Sequence, residues 1–169
     1  MRLYSGKVGP IATEVTKALI SGKQIETESP HEVELDVSSV LNNYVRLEQE
    51  VSSEARDHQQ RQSLPSSEIG RIKRSMAERK GIKTGEETLD FLLDQVVEML
   101  MHSANVDEVF GQDHELRRTM TPIFKRHMAA DDDLDREVRG QLKHVREGTS
   151  TWEIEYQRMR EEIKRRKGL

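Results

Sequence analysis

The chain has 169 residues, of which 34% are hydrophobic, 34% charged and 4% aromatic, and its formal net charge is -4. This supply of apolar residues favours helices with narrow apolar stripes over a buried sheet or a β-sandwich. The absence of cysteine excludes disulfides, cysteine-ligated metals and thiol catalysis, and the negative charge gives no general attraction to nucleic acid.

Membrane and export signals are missing from the sequence pattern. No segment approaches the roughly 18 apolar residues of a membrane-spanning helix, and residues 1–15 lack the apolar core of a secretory signal. The sequence therefore predicts a soluble, cytoplasmic protein with no membrane partner, and it specifies no oligomeric state.

Three helices are predicted in the first half of the chain. The first has apolar residues at helical spacing between Val8 and Leu19. A long second helix begins with an N-cap serine, a first-turn proline and a glutamate that completes a capping box, which are Ser29, Pro30 and Glu32. The Leu-Pro-Ser-Ser segment at 64–67 predicts a break, and Ile69, Ile72 and Met76 mark a short third helix that Gly81 ends.

The second half repeats this order. Thr84 and Glu87 form a second capping-box pattern before an apolar stripe over residues 89–100. A long helix follows, in which Pro122 predicts a break or a kink because proline removes a backbone hydrogen bond. Ser150 and Glu153 predict the cap of the last helix.

The two halves match each other as well as sharing an order. The matching residues are about 81 apart at first, 83 apart after a two-residue insertion near Pro122, and 87 apart at the end, where both halves finish in Arg-Lys-Gly. Helical segments of similar composition also match by chance, but a collinear series over nearly the whole chain favours duplication. The prediction is an all-α fold of six to eight helices in two helical lobes, formed by a tandem duplication of units 1–82 and 83–169.

Several segments resemble one known family. The opening MRLYSGKVGPIA, the acidic HEVELD and the ending GTSTWEIEYQRMREEIKRRKGL are similar to the bacterial family catalogued as domain of unknown function 507. The resemblance covers essentially the whole chain. It implies an all-helical fold, with two lobes that diverge from a shared stem, and it supplies no reaction, cofactor or catalytic residue.

Acidic and histidine residues offer no convincing catalytic or metal site. The acidic run Asp131–Asp135 lacks the glycine and glutamate of an EF-hand loop, so a solvated helix face or a helix N-terminus is the preferred interpretation. The histidines form no His-Glu-x-x-His motif, and the sequence has no phosphate-binding glycine loop or nucleophile elbow. The chain is therefore predicted not to be an enzyme and to need no metal or cofactor.

Basic residues concentrate in the terminal helix of each half. They can stabilise helix C-termini and pair with nearby glutamates, or they can grip a phosphate-rich or acidic partner. The candidate binding residues are Arg71, Lys73, Arg74, Arg79, Lys80, Arg158, Arg160, Lys164, Arg165, Arg166 and Lys167.

Trp152, the single tryptophan, is a candidate anchor, either in the core or in a binding surface. The preferred functional hypothesis is a non-enzymatic protein-interaction or scaffold module with an unidentified protein partner. The alternative is an RNA- or ribosome-associated protein that binds phosphate through its two basic helices.

Overall fold

A computed structural model describes residues 1–167. In that range the chain forms six α-helices and one two-stranded ribbon, so the all-α prediction and the predicted helix number are confirmed. The helices are α1 (Val8–Ser21), α2 (Pro30–Arg61), α3 (Ile69–Arg79), α4 (Thr88–His102), α5 (Asp113–Gln141) and α6 (Ser150–Lys167). The strands are β1 (Ile25–Glu26) and β2 (Glu108–Val109). Over these residues, none of the helices is both long and apolar enough to cross a bilayer.

The chain divides into two compact units. We call Met1–Met128 the N-terminal unit and Ala129–Leu169 the C-terminal unit, so the division falls within the sequence of α5. It does not coincide with residue 82, where the sequence comparison divides the chain. Buried residues from both sides of residue 82 belong to one core in the N-terminal unit. The duplication of 1–82 and 83–169 concerns repeated sequence and stays a prediction.

The core of the N-terminal unit contains the predicted apolar stripes. The first stripe residues, Val8 and Leu19, are at most 3% exposed, and α1 packs along α2. Helical spacing predicted these positions because residues three and four apart lie on one face of a helix. The stripe of α2 is buried at Val33, Val37, Leu41, Tyr44, Val51 and Ala55.

The helix starts differ from the predicted capping boxes. Ser29 and Pro30 occupy the cap and first positions of α2, but the Ser29 side chain makes no capping hydrogen bond. The backbone N–H of Ser29 instead donates to Oγ1 of Thr27 at 2.9 Å. This amide is therefore not available to the Glu32 carboxylate, and the predicted capping box of α2 is wrong. A competing local hydrogen bond from a nearby hydroxyl is a common alternative to a cap.

The starts of two other helices also differ from the predicted caps. A 3-10 turn at Gly85–Glu87 precedes α4, and Thr84 makes no side-chain cap bond. In the C-terminal unit Oγ1 of Thr149, rather than Ser150, accepts the backbone N–H of Trp152 at 3.2 Å. For α6 the prediction placed the cap one residue too late, because Thr149 and Ser150 are both good N-cap residues.

Pro122 does not interrupt its helix. Helix α5 continues from Asp113 to Gln141 with proline inside it, so the predicted break is absent. The carbonyl that loses its amide partner belongs to Arg118, and both Arg118 and Pro122 are exposed. Solvent at this face can hydrate the carbonyl, which lowers the cost of proline in a helix interior.

The ribbon joins two segments that are distant in sequence. Strands β1 and β2 pair antiparallel with Ile25 opposite Val109 and Glu26 opposite Glu108. Phe110 donates its backbone N–H to the carbonyl of Gln24 at 2.8 Å, which extends the pairing by one residue. Because strand side chains alternate between faces, Ile25 points to the core while Glu26 points outward. Two-residue strands are too short for sequence periodicity to detect.

Three helices of the N-terminal unit end in a left-handed residue. In each case an amide bonds back to the carbonyl five residues earlier, which is the Schellman motif. The left-handed residues are Lys23 (φ 53°), Ser63 (φ 51°) and Gly81 (φ 72°). The bonds run from Gln24 to Leu19, from Leu64 to Gln59 and from Ile82 to Ala77.

The C-terminal unit has a small core of its own. It is formed by the end of α5, the following turn and α6. Its buried residues are Leu134, Val138, Leu142, Trp152, Tyr156 and Ile163.

Candidate functional site

Carboxylates of the same unit neutralise most of the predicted basic residues. Eight of the eleven candidates form ion pairs: Arg71 with Glu68, Lys73 with Glu48, Lys80 with Glu50 and Glu54, Arg158 with Glu155 and Glu162, Arg160 with Asp131, Lys164 with Glu161, Arg166 with Glu162, and Lys167 with Glu137. The other three, Arg74, Arg79 and Arg165, are exposed and form no ion pair within residues 1–167. Most of the candidate cations therefore have carboxylate partners, although Arg71, Arg158 and Arg166 remain largely exposed.

A buried carboxylate holds α3 and the N-terminal segment to α2. Glu48 is only 6% exposed, and its two oxygens face different cations. Arg2 lies 3.1 Å from one oxygen, and Lys73 lies 3.6 Å from the other. The hydroxyl of Ser52 also donates to Glu48, at 3.1 Å. A carboxylate removed from water needs such partners, so these cations have a structural role.

A second buried carboxylate occupies the C-terminal unit. Asp131 is 4% exposed, and Arg160 of α6 lies 3.3 Å from its Oδ1. The prediction that the acidic run forms a solvated face is therefore wrong for Asp131, although Asp133 is exposed. The run lies within α5, where helical periodicity turns only some of its carboxylates toward solvent.

The lysine of each Arg-Lys-Gly segment forms an ion pair with the preceding long helix. Lys80 lies 3.0 Å from Glu54 and 3.1 Å from Glu50, and these hydrogen bonds raise its pKa. The pKa of Glu50 falls because Lys80, and next Arg46, donate hydrogen bonds to its charged form. Lys167 contacts Glu137 in the C-terminal unit. The basic segments thus fasten short helices to long ones.

Trp152 is a core residue. It is 8% exposed, and its ring stacks on that of Tyr156 with centroids 5.0 Å apart. The guanidinium of Arg139 lies 5.2 Å from the centroid of the Trp152 ring, within the range of a cation–π contact. Of the two roles that the sequence left open, the structure places Trp152 in the core.

The histidines of the described part of the chain do not belong to larger clusters of possible metal ligands. Across residues 1–167 no group of three or more His, Asp or Glu side chains is arranged to hold a metal ion. The clearest histidine contact is that of His127, whose Nε2 lies 2.5 Å from Oε2 of Glu14. Arg126 bonds the same oxygen at 2.7 Å. The hydrogen bond from His127 is the main cause, before that from Arg126, of a lowered Glu14 pKa.

The outward surface of the ribbon was not predicted from the sequence. We define the ribbon face as Glu26, Glu108 and Phe110, the exposed residues of the two paired segments. Phe110 is 55% exposed, whereas Phe124 is completely buried. Neither Glu26 nor Glu108 forms an ion pair with any residue from 1 to 167. The only sequence feature that marks this surface is the aromatic residue next to Gly111, and this residue is not part of an apolar stripe with helical spacing.

The family comparison agrees with the resemblance noted in the sequence. A search of curated proteins finds no match for the chain. The family model described as Protein of unknown function (DUF507) matches residues 1–169, which is the whole chain. The chain therefore belongs to this family, whose description assigns no activity.

Proposed function

We propose that this protein is a non-enzymatic interaction module that acts in the bacterial cytoplasm by binding another protein. The observation that carries the proposal is the exposure of Phe110. The chain has three phenylalanines, and this one leaves 55% of its surface to solvent on a structured ribbon. Exposed aromatic rings on ordered elements are typical of the residues that anchor protein interfaces.

The pairing of the basic residues favours a protein partner over RNA. Phosphate binding draws its affinity from cations that are free to replace counterions. Here the neighbouring carboxylates would compete with phosphate for eight of the eleven candidate cations. The proposal assigns no catalytic residue and no cofactor.

We also propose that the chain arose by tandem duplication of units 1–82 and 83–169. What supports this is the recurrence of local contacts at the separations that the sequence comparison gives. The carboxylates Glu48 and Asp131 are 83 residues apart, and their cations Lys73 and Arg160 are 87 apart. One further contact recurs in the same way: Lys80–Glu54 with Lys167–Glu137.

The starts of the two long helices refine this proposal. The buried residues Val33 and Leu116, and then Val37 and Met120, are already 83 apart. Under duplication the two additional residues of the second unit therefore lie between α4 and α5 rather than near Pro122. Loops accept insertions more readily than helix interiors do, which agrees with this position.

Affinity capture tests the interaction function. The tagged full-length chain is used to capture partners from a native lysate, with and without ribonuclease and at two salt concentrations. The expected result is a defined set of proteins that survives ribonuclease and is lost with Phe110→Ser. Ile154→Ser is the matched control, because Ile154 is 68% exposed on α6.

Two results would overturn the proposal. One is recovery of RNA or ribosomal proteins that disappear with ribonuclease or high salt, which would support the phosphate-binding alternative. The other is the absence of any captured protein above an untagged control.

A further inference from the structure

We propose that the ribbon face docks a basic segment of a partner protein, in which Lys or Arg side chains flank an apolar residue. The inference rests on the proposed interaction function and adds the chemical class of the partner. It is carried by two features of the same face, the unneutralised pair Glu26 and Glu108 and the exposed ring of Phe110.

The two glutamates lie directly opposite each other. Register places Glu26 across from Glu108, and side chains opposite each other in an antiparallel pair have Cβ atoms roughly 5 Å apart. Like charges at this separation repel, and no cation of residues 1–167 forms an ion pair with either glutamate. A partner ammonium or guanidinium group placed between them would contact both carboxylates and remove the repulsion.

The surrounding charges are mostly negative. Residues 23–28 and 105–110 contain four carboxylates, from Glu26, Glu28, Asp107 and Glu108, against the single cation of Lys23. Asp107 accepts the backbone N–H of Glu28 at 2.8 Å, which holds one of these carboxylates at the edge of the ribbon. Such a field attracts a basic segment and repels nucleic acid and anionic lipid.

Phe110 supplies the apolar part of the site. Its ring lies on the outward side of the ribbon, across from Gln24, and alternation places it on the same face as Glu108. An aromatic ring beside two carboxylates can bind the aliphatic stem of Lys or Arg and attract its charged end. The face therefore fits alternating basic and apolar side chains better than a purely apolar surface.

A peptide selection on the full-length protein tests this inference. A phage-displayed library of random 12-residue peptides is selected on the wild-type chain and counter-selected on the triple variant Glu26→Gln/Glu108→Gln/Phe110→Ser. Enriched peptides are then synthesised, and their affinities are measured at low and moderate salt. We expect them to contain at least two basic residues around an apolar one, and to bind less tightly as salt rises.

Variants separate the contributions. We expect Glu26→Gln/Glu108→Gln and Phe110→Ser each to weaken peptide binding by about tenfold, the loss typical of a contact central to an interface. Glu86→Gln/Glu87→Gln is the matched control, since it makes the same charge change at two exposed glutamates outside the ribbon. Circular dichroism confirms that each variant is folded before its affinity is compared.

Each outcome decides the inference. Selection of no peptide, selection of peptides without basic residues, or equal binding to all variants would overturn it. Self-association of the wild-type chain that the ribbon variants abolish would show a second copy as the occupant instead. If lysate capture yields proteins that bind Glu26→Gln/Glu108→Gln normally, the interaction function stands and only this inference fails.

Discussion

Arg160 and Asp131 form an ion pair that is almost completely removed from solvent, with side-chain exposures of 14% and 6% and a nitrogen–oxygen distance of 3.3 Å. Loss of one partner from a buried pair leaves an uncompensated charge in a medium of low polarity. In the C-terminal unit, with its core of six buried hydrophobic residues, this pair contributes to stability and to the position of α6.

We therefore expect Arg160→Met to destabilise the C-terminal unit by about 3 to 5 kcal/mol, the usual cost of leaving one buried charge unpaired. Urea unfolding followed by tryptophan fluorescence measures this directly, because the single tryptophan, Trp152, lies in the core of that unit. The double variant Arg160→Met/Asp131→Leu is expected to recover most of the loss, since it removes both charges.

Lys73→Met is the matched comparison in the N-terminal unit. There Glu48 keeps Arg2 at 3.1 Å after Lys73 is lost, so we expect a cost of only about 1 kcal/mol. Unfolding of this unit is followed by circular dichroism. A cost equal to that of Arg160→Met would contradict the compensation that Arg2 provides.

We expect the stability difference between the wild-type chain and Glu50→Gln to depend on pH. Hydrogen bonds from Lys80 and Arg46 lower the pKa of Glu50 below the ordinary value of 4.5. A depressed carboxyl pKa adds stability that is present above the unfolded pKa and is lost as pH falls through the folded pKa. The wild-type chain should therefore exceed Glu50→Gln in thermal stability at pH 7, and the gap should close below pH 4.5.

Glu86→Gln is the control for this titration. Glu86 is exposed and forms no ion pair among the described residues, so we expect the wild-type and variant melting curves to coincide at both pH values. A gap between wild type and Glu50→Gln that stayed constant down to pH 2 would show that ionisation of Glu50 does not stabilise the fold.

Ser63 ends α2 with φ 51°, a left-handed conformation that disfavours residues with a Cβ atom. We expect Ser63→Gly to stabilise the N-terminal unit by about 0.5 to 1 kcal/mol, because glycine adopts this conformation without steric cost. Equilibrium urea unfolding is the measurement. Gly81→Ala is the reverse control: Gly81 has φ 72° and open space around it, so only backbone strain should lower stability.

Because two glutamates face each other across the ribbon, we expect that replacing both will stabilise the fold. Removing the repulsion with Glu26→Gln/Glu108→Gln should raise the stability of the N-terminal unit by about 0.5 kcal/mol, within the range measured for cross-strand pairs. The increase should shrink as salt screens the charges in the wild-type chain. A loss of stability would indicate that the two carboxylates already have favourable partners.

Helical periodicity predicted the core more accurately than residue chemistry predicted the caps. The stripe from Val8 to Leu19 is buried as expected, since burial of a helix face depends on a pattern repeated over several turns. A cap depends on a single hydrogen bond, and near Ser29 the hydroxyl of Thr27 took that bond instead. Local competition of this kind is not visible in residue spacing.

The ribbon face and the buried carboxylates could not be predicted for a different reason. Pairing of Ile25 with Val109 depends on the packing of segments more than eighty residues apart. The burial of Glu48 likewise depends on cations from the N-terminal segment and α3. The sequence indicated that the basic residues could pair with glutamates, but only the fold specifies which glutamate each one contacts.

The register of the ribbon also has a consequence for synthesis of the chain. Val109 follows its partner Ile25 by 84 positions. At the typical elongation rate of about 5 to 20 residues per second, β1 waits roughly 4 to 17 seconds on the ribosome before β2 is made. Helices α1 and α2 can pair during that interval, whereas Ile25 stays without its strand partner, so the nascent chain passes through a stage in which one edge of its future core is uncovered.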